Sequence, residues 1–197
     1  MMADEMNELE RKRQIAFHLR DAFGGTFRVN AYYDESEKSR IEIFQCTDTP
    51  VPGLTSFGTI GLSEHSIGLT TQEGKQLRAE LLGMCESDNA IFPNVLASCA
   101  FEIINDHQPC RPGAIFCNVI SAYDGSLSMK HIYLTYPWWP EDLMRLDRED
   151  SIVLWLAAFP ISDAELDYLE ANGMDAFEDL LNENQPDAAD LNRESMV

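Results

Sequence analysis

Positive charge is scarce in this sequence. The chain has 14 lysines and arginines against 34 aspartates and glutamates, which gives a formal net charge of -20 at pH 7. A negative surplus of this size repels phosphate backbones and anionic lipid headgroups, so nucleic acid and membrane surfaces are poor partners. Two interpretations remain open: the charge keeps the protein in solution, or it attracts a basic protein.

Long hydrophobic runs are also lacking. The longest, IVLWLAAFPI at 152–161, has about half of the roughly 20 residues that a membrane-spanning helix needs, so it predicts a buried core strand instead. The N-terminal stretch MMADEMNELERKRQ has no apolar segment of the kind found in signal peptides. We therefore expect a soluble protein that acts in the cytoplasm.

Paired cysteines and clustered histidines are absent as well. The five cysteines are an odd number, none forms a CxxC motif, and several lie inside apolar runs. This pattern predicts reduced, buried thiols, in keeping with a reducing cytosol. The four histidines are far apart, with no HExxH motif and no cysteine pair beside them. No metal site is expected from these spacings.

Motifs that carry catalysis are equally hard to find. The segment Gly61-Leu62-Ser63-Glu64-His65 is similar to a nucleophile elbow, but that strained turn needs a glycine where His65 stands. A structural turn is the favoured interpretation. Carboxylates are abundant, yet none has the spacing of a calcium loop or of a recognisable glycosidase pair. We expect no catalytic residues and no cofactor, and an enzyme is the least favoured class.

The pattern of apolar residues predicts an α+β fold. A helical spacing at 4–22 ends at Gly24-Gly25, and a second helical face at 89–107 has Pro93 in its first turn. Alternating aromatic and β-branched residues predict a hairpin from 27 to 46. Further strands are predicted in SFGTIGLS, RAELLGMCE, AIFCNVISAY, MKHIYLTYP and SIVLWLAAF. We expect one domain, with a mixed and mainly antiparallel β-sheet packed against helices.

The C-terminal region predicts two short helices. Ser162 and Glu165 have the S-x-x-E spacing of a capping box, and Gly173 suits the end of the helix that this box begins. A second helix is predicted from Met174 to about residue 182. Beyond Pro186 the residues are small and acidic, so we expect a frayed tail.

Two adjacent tryptophans are the most informative local feature. Trp138 and Trp139 stand between two prolines and are followed by Glu141 and Asp142. Because tryptophan is enriched at the energetic centres of protein interfaces, this segment is a candidate partner-binding site. One of two adjacent residues that leave a strand should point inward, so we also expect at least one tryptophan to be buried.

Four stretches of the chain follow one another in an order that resembles the Suppressor of fused domain family, bacterial branch. They are the GLS turn at 61–63, RAELLGMCESDNAIFPNVLASCAFEIINDHQPCRPGAIF, HIYLTYPWW, and SIVLWLAAFPISDAELDYLEANGMDAFEDLL. The last stretch is the most specific of them. On this resemblance the chain divides into an N-terminal helix at 1–22, the family domain at 23–183 and a flexible acidic tail at 184–197.

The resemblance implies a mixed sheet packed against helices and a function in protein binding without catalysis. It also implies that single-domain bacterial relatives serve polymorphic toxin systems as immunity proteins, each neutralising a cognate toxin. Residues 141–197 hold 16 acids and three arginines, a net of 3 - 16 = -13, and such a field suits a basic toxin such as a nuclease. The alternative is a general adaptor with a housekeeping partner, and the oligomeric state stays open.

Overall fold

The computed structural model of the protein describes residues 2–140 and 143–197. Four α-helices are present in these ranges: α1 Met2–Phe23, α2 Phe92–Asp106, α3 Asp163–Asn172 and α4 Met174–Asn184, with a short 3-10 turn at Leu62–Glu64. The eight strands are β1 Phe27–Tyr33, β2 Arg40–Thr47, β3 Leu54–Ile60, β4 Gln76–Glu86, β5 Ile115–Phe116, β6 His131–Thr135, β7 Leu146–Asp147 and β8 Ser151–Ile161. Within the described ranges no helix has both the length and the apolar composition to span a bilayer.

The strands form one mixed sheet in the order β1-β2-β3-β4-β8-β6-β5, with β7 paired to β8. All neighbours run antiparallel except β4 and β8, which are parallel. A parallel pair requires a long crossover connection, because the chain must return to the starting edge, and α2 lies within that crossover. The predicted α+β class with a mixed, mainly antiparallel sheet is confirmed.

Helices cover both faces of the sheet. On one face Phe92 of α2 is buried against strand residues such as Leu81. On the other face Leu19 of α1 and Phe177 of α4 are buried together with Leu82. Adjacent residues of β4 therefore belong to different cores, as expected for a strand whose side chains alternate between two covered faces.

Two glycines allow these helices to approach the sheet closely. A Cβ atom at Gly58 would lie 2.8 Å from Cδ1 of Leu19, and a Cβ atom at Gly83 would overlap the ring of Phe92. Each glycine thus leaves space for one large side chain from the helix above it. Any larger residue at either position would require the facing side chain, or the helix that carries it, to shift.

Apart from the two-residue strand β7, which the sequence does not predict, the predicted helices and strands agree with the structure except at AIFCNVISAY. Only Ile115 and Phe116 of this stretch form a strand. The chain then turns at Asn118, which has a φ of 59° and donates its backbone N–H to Nδ1 of His131 over 2.8 Å. Val119 and Ile120 are nevertheless buried. Their apolar character therefore reflects packing in a turn, which the sequence pattern does not distinguish from a strand.

The segment predicted to be a frayed tail is packed against the body of the protein. Ala188, Ala189 and Leu191 are buried. The carbonyl of Ala189 accepts the N–H of Glu86, and the carbonyl of Leu191 accepts the N–H of Met129. The prediction of a flexible tail is therefore wrong, because it was based on local composition, whereas these residues are held by distant parts of the chain.

A buried ion pair fixes the end of this segment. Arg193 donates from its two terminal nitrogens to the two carboxylate oxygens of Glu165, over 2.6 Å and 2.9 Å. Glu165 also accepts the backbone N–H of Ser162, which completes the predicted capping box, and that of Met196. A side chain at the start of α3 therefore holds the last residues of the chain in place.

Candidate protein-binding site

The two tryptophans differ in their exposure to solvent. Trp138 is 47% exposed, whereas Trp139 is 8% exposed and belongs to the core on the α1 side of the sheet. The indole N–H of Trp139 donates to Oγ of Ser56 over 3.4 Å. The expectation that at least one tryptophan is buried is confirmed. Glu141 and Asp142, predicted to contact the same partner, lie outside the described residues.

Trp138 forms one wall of a surface groove of about 610 Å³. Its ring lies edge-on to Phe159 of β8, with 5.8 Å between ring centroids. The opposite wall is the C-terminal half of α4 and the residues that follow it. The lining residues are Thr135, Tyr136, Pro137, Trp138, Phe159, Glu178, Leu181, Asn182, Gln185 and Pro186. We call this the Trp138 groove.

A carboxylate stands inside the aromatic groove. Oε1 of Glu178 accepts the hydroxyl of Tyr133 and the hydroxyl of Thr135, both over 2.8 Å. Burial of Tyr133, together with its hydrogen bond to Glu178, raises the pKa of the phenol, so this hydroxyl stays a donor at physiological pH. Oε2 of Glu178 receives no hydrogen bond from the described residues. The groove therefore combines aromatic surface with an acceptor that is available to a cationic side chain.

One wall of the groove belongs to a pair of acidic helices, because α4 lines the groove and α3 packs against α4. The sequence of α3 and α4 contains no lysine and no arginine, and we call these two elements the acidic helix pair. Within the described chain, its only ion pair is that of Glu165 with Arg193, and Asp163 accepts a hydrogen bond from Nε2 of His131 over 2.9 Å. The exposed carboxylates of the acidic helix pair are Asp163, Asp167, Glu170, Asp175, Asp179 and Glu183. Their combined field attracts a basic surface and repels an acidic one.

Sequence reasoning missed the α4 side of this site. The groove is also lined by Glu178, Leu181 and Gln185. These residues lie about 40 positions after Trp138, and no local pattern predicts that the two segments are close in space. A helical spacing of Glu178, Leu181 and Gln185 was the available signal, since residues three and four apart share one helix face.

The turn at Gly61–Ser63 has a structural role. Ser63 is buried, and Glu80 accepts the backbone N–H groups of Gly61, Leu62 and Ser63 over 3.0 to 3.2 Å. The hydroxyl of Thr59 also donates to Glu80, over 2.6 Å. Across the described residues, no group of three or more histidine, cysteine, aspartate or glutamate side chains is placed to hold a metal ion.

Glu80 predicts a specific pH dependence of stability. Burial raises its pKa from 4.5 to about 7, against the opposing effect of the donors from Thr59, Ser63 and Gly61. The folded state keeps the proton of Glu80 to a higher pH than the unfolded chain does. The contribution of this protonated carboxyl to the free energy of unfolding is therefore complete below pH 4.5 and is lost as the pH rises through about 7. We expect Glu80→Gln to remove this decline.

Urea unfolding of the wild type and of Glu80→Gln between about pH 5 and pH 7.5 measures this effect. Groups common to both proteins cancel in the difference, so the gap in unfolding free energy should change across the interval, with the wild type losing stability relative to the variant as the pH rises. Parallel curves for the two proteins would contradict the shifted pKa.

Residues 37–194 match the family described as Suppressor of fused protein (SUFU), and the chain belongs to this family, whose members bind proteins and are not enzymes. Among individual relatives it is similar to the Immunity protein YqcF of Bacillus subtilis (strain 168). The two are 44% identical over 193 residues, which cover 98% of this chain and 100% of the relative.

Solved structures share the fold at much lower sequence identity. A SUFU homolog from Neisseria gonorrhoeae has a TM-score of 0.72 at 16% identity, over 96% of this chain and 98% of that one. The Sufu-Fu complex gives a TM-score of 0.67 at 12% identity, over 94% of this chain and 92% of the matched chain. Drosophila Suppressor of Fused gives 0.58 at 12% identity, over 80% of this chain and 43% of that one. These similarities show a common scaffold.

Proposed function

We propose that this protein is an immunity protein that binds a cognate toxin and blocks it by occluding its working surface. The observation that carries the proposal is the 44% identity to Immunity protein YqcF over nearly the whole chain. The proposal places this activity in the cytoplasm. The four buried cysteines are free thiols in the structure, which suits a reducing compartment.

The Trp138 groove and the acidic helix pair form the proposed toxin-binding surface. Trp138 inserts between apolar groups of the toxin, while Trp139 supports it from beneath, with 4.8 Å between the ring centroids. Glu141 and Asp142 follow in the sequence and add negative charge. The partner that fits this surface is a basic protein, such as a nuclease that holds a phosphate backbone, because such a toxin must be positively charged where it meets its substrate.

A co-expression experiment tests the function. The toxin to be used is the product of a neighbouring toxin-like gene, expressed in a host that lacks any other immunity protein. We expect cells that also contain this protein to survive and cells without it to die. Equal killing in both cultures would overturn the proposal. Affinity capture that retrieved a housekeeping protein in place of the toxin would favour an adaptor.

Trp138→Ala tests the surface. The substitution should weaken the toxin complex by about 2 kcal/mol or more, which is roughly a 30-fold rise in Kd, and isothermal titration measures it. Tyr123→Ala is the matched control, because Tyr123 is an aromatic residue of similar exposure, at 46%, that lines a different groove. An equal loss of toxin affinity in the two variants would mean that the toxin does not bind at the Trp138 groove.

A further inference from the structure

Strand β1 leaves one long backbone edge of the sheet open. It is first in the strand order and pairs with β2 over its full length, from Phe27 to Tyr33, without a bulge. In the part of the chain that the structure describes, no strand pairs with its outer side. Six of its seven residues are exposed, and only Tyr32 is partly buried. This edge is roughly 23 Å long.

Hydrogen bonds at the two ends of β1 show which backbone groups face outward. Thr47 donates its N–H to the carbonyl of Thr26, and Asp34 donates its N–H to the carbonyl of Ser39. Since hydrogen-bonded positions alternate along an antiparallel pair, the even-numbered residues from 26 to 34 bond to the β2 side. The N–H and C=O groups of residues 27, 29, 31 and 33 therefore point away from the sheet.

This edge has few of the features that normally prevent pairing with another chain. Edge strands are usually protected by prolines, bulges, lysines or shortness, and β1 has none of these. Its single charged residue is Arg28. The outward residues carry exposed apolar side chains, with Phe27 and Val29 each 42% exposed and Tyr33 57% exposed. By contrast, the strand at the other end of the sheet order, β5, has only two residues.

We propose that β1 pairs antiparallel with β1 of a second copy of this chain, about a twofold axis through Asn30. In that register Phe27 lies opposite Tyr33 of the second copy, and Val29 lies opposite Ala31. All of these residues have outward-facing backbone groups, so the pair forms about eight new backbone hydrogen bonds and joins the two sheets.

The side chains of β1 are complementary to themselves in this register. The apolar residues Phe27, Val29, Ala31 and Tyr33 meet on one face. On the other face Arg28 lies opposite Tyr32 of the second copy and diagonally from its Asp34, within reach of a long side chain. The carboxylate of Asp34 is already fixed in place, because it accepts the backbone N–H groups of Lys38 and Ser39 over 2.8 Å and 2.9 Å.

Net charge gives this dimer a characteristic salt dependence. Each copy carries -20, and the repulsion between acids far from the strand opposes association. Salt screens such long-range repulsion, because the screening length is only about 8 Å at physiological ionic strength. It leaves the backbone hydrogen bonds intact. Added salt therefore strengthens the dimer, whereas it weakens a complex held by attraction to a basic toxin.

Cysteine cross-linking tests the register. Asn30→Cys is made in a Cys117→Ser background, which removes the exposed native thiol, and Arg28→Cys in the same background is the control. Paired Asn30 positions lie about 4.5 Å apart between Cα atoms, whereas the two Arg28 positions lie about 13 Å apart. Only the former distance fits a disulfide, so Asn30→Cys should give at least about tenfold more covalent dimer on mild oxidation.

Equal cross-linking of the two variants, or none above background in either, overturns the proposal. Sedimentation equilibrium of the unmodified protein provides the second measurement. The dimer fraction should rise with protein concentration and with NaCl, and Ala31→Pro should abolish it, because this substitution removes an outward N–H that the β2 ladder does not use. A protein that stays monomeric at every concentration and salt level also overturns the inference.

Discussion

Arg193→Ala is expected to lower the free energy of unfolding by about 3 to 5 kcal/mol, because it leaves a buried carboxylate without its partner. Glu165 is completely buried, and both of its oxygens accept hydrogen bonds from Arg193. The same substitution removes a donor to the carbonyl of Pro160 and a cation above the ring of Phe159. For a chain of this size the melting midpoint should fall by about 6 to 20 °C.

Arg145→Ala is the matched control for this prediction. Arg145 also pairs with a carboxylate, that of Asp147 over 3.0 Å, but both side chains are at least half exposed. Surface pairs of this kind contribute about 0 to 1 kcal/mol. Calorimetry should therefore separate the two variants clearly. If both midpoints fell by the same small amount, the ion pair between Arg193 and Glu165 would contribute little to the fold.

Trp139→Ala is expected to cost about 3 to 5 kcal/mol of folding free energy, the usual cost of removing a large aromatic side chain from a core. The adjacent Trp138→Ala is its control, since it deletes the same group from a half-exposed position and should cost about 1 kcal/mol. Urea unfolding followed by circular dichroism measures both. Equal losses would contradict the difference in burial between the two rings.

In the toxin-binding assay the larger loss should belong to Trp138→Ala, the reverse of the order expected for stability. At a temperature where Trp139→Ala remains folded, its complex with the toxin should be weakened less than that of Trp138→Ala. In the proposed complex Trp139 acts through the position of its neighbour, whereas the half-exposed Trp138 contacts the partner directly. A Trp139→Phe variant, which retains most of the buried volume, should restore both stability and binding.

Local patterns predicted much of the fold because most of its elements obey local rules. The hairpin of β1 and β2 follows from alternation, α1 ends at a glycine pair with positive φ, and the capping box of Ser162 and Glu165 forms as its spacing indicates. These features depend on residues that are close in sequence. They are therefore visible without knowledge of the tertiary structure.

The features that escaped prediction depend on distant contacts. The terminal segment is small and acidic, and contacts with residues far away in sequence, such as Glu86, Met129 and Glu165, hold it in place. In the same way, Trp138 stands out in the sequence, but nothing local shows that Glu178 lies beside it. The apolar side chains of Val119 and Ile120 indicate burial, but they do not determine whether the backbone forms a strand or a turn.

The construction of α4 has a consequence for how such a protein can diversify. Phe177 is the only fully enclosed side chain of this helix, and Leu180 and Leu181 pack against the same core. Asp175, Asp179 and Glu183 lie on its exposed outer surface. Substitutions there can alter which antagonist is recognised while the sheet and its two cores remain as they are. If the proposed function holds, a lineage that meets successive toxins can thus replace its recognition surface repeatedly, at little cost to folding.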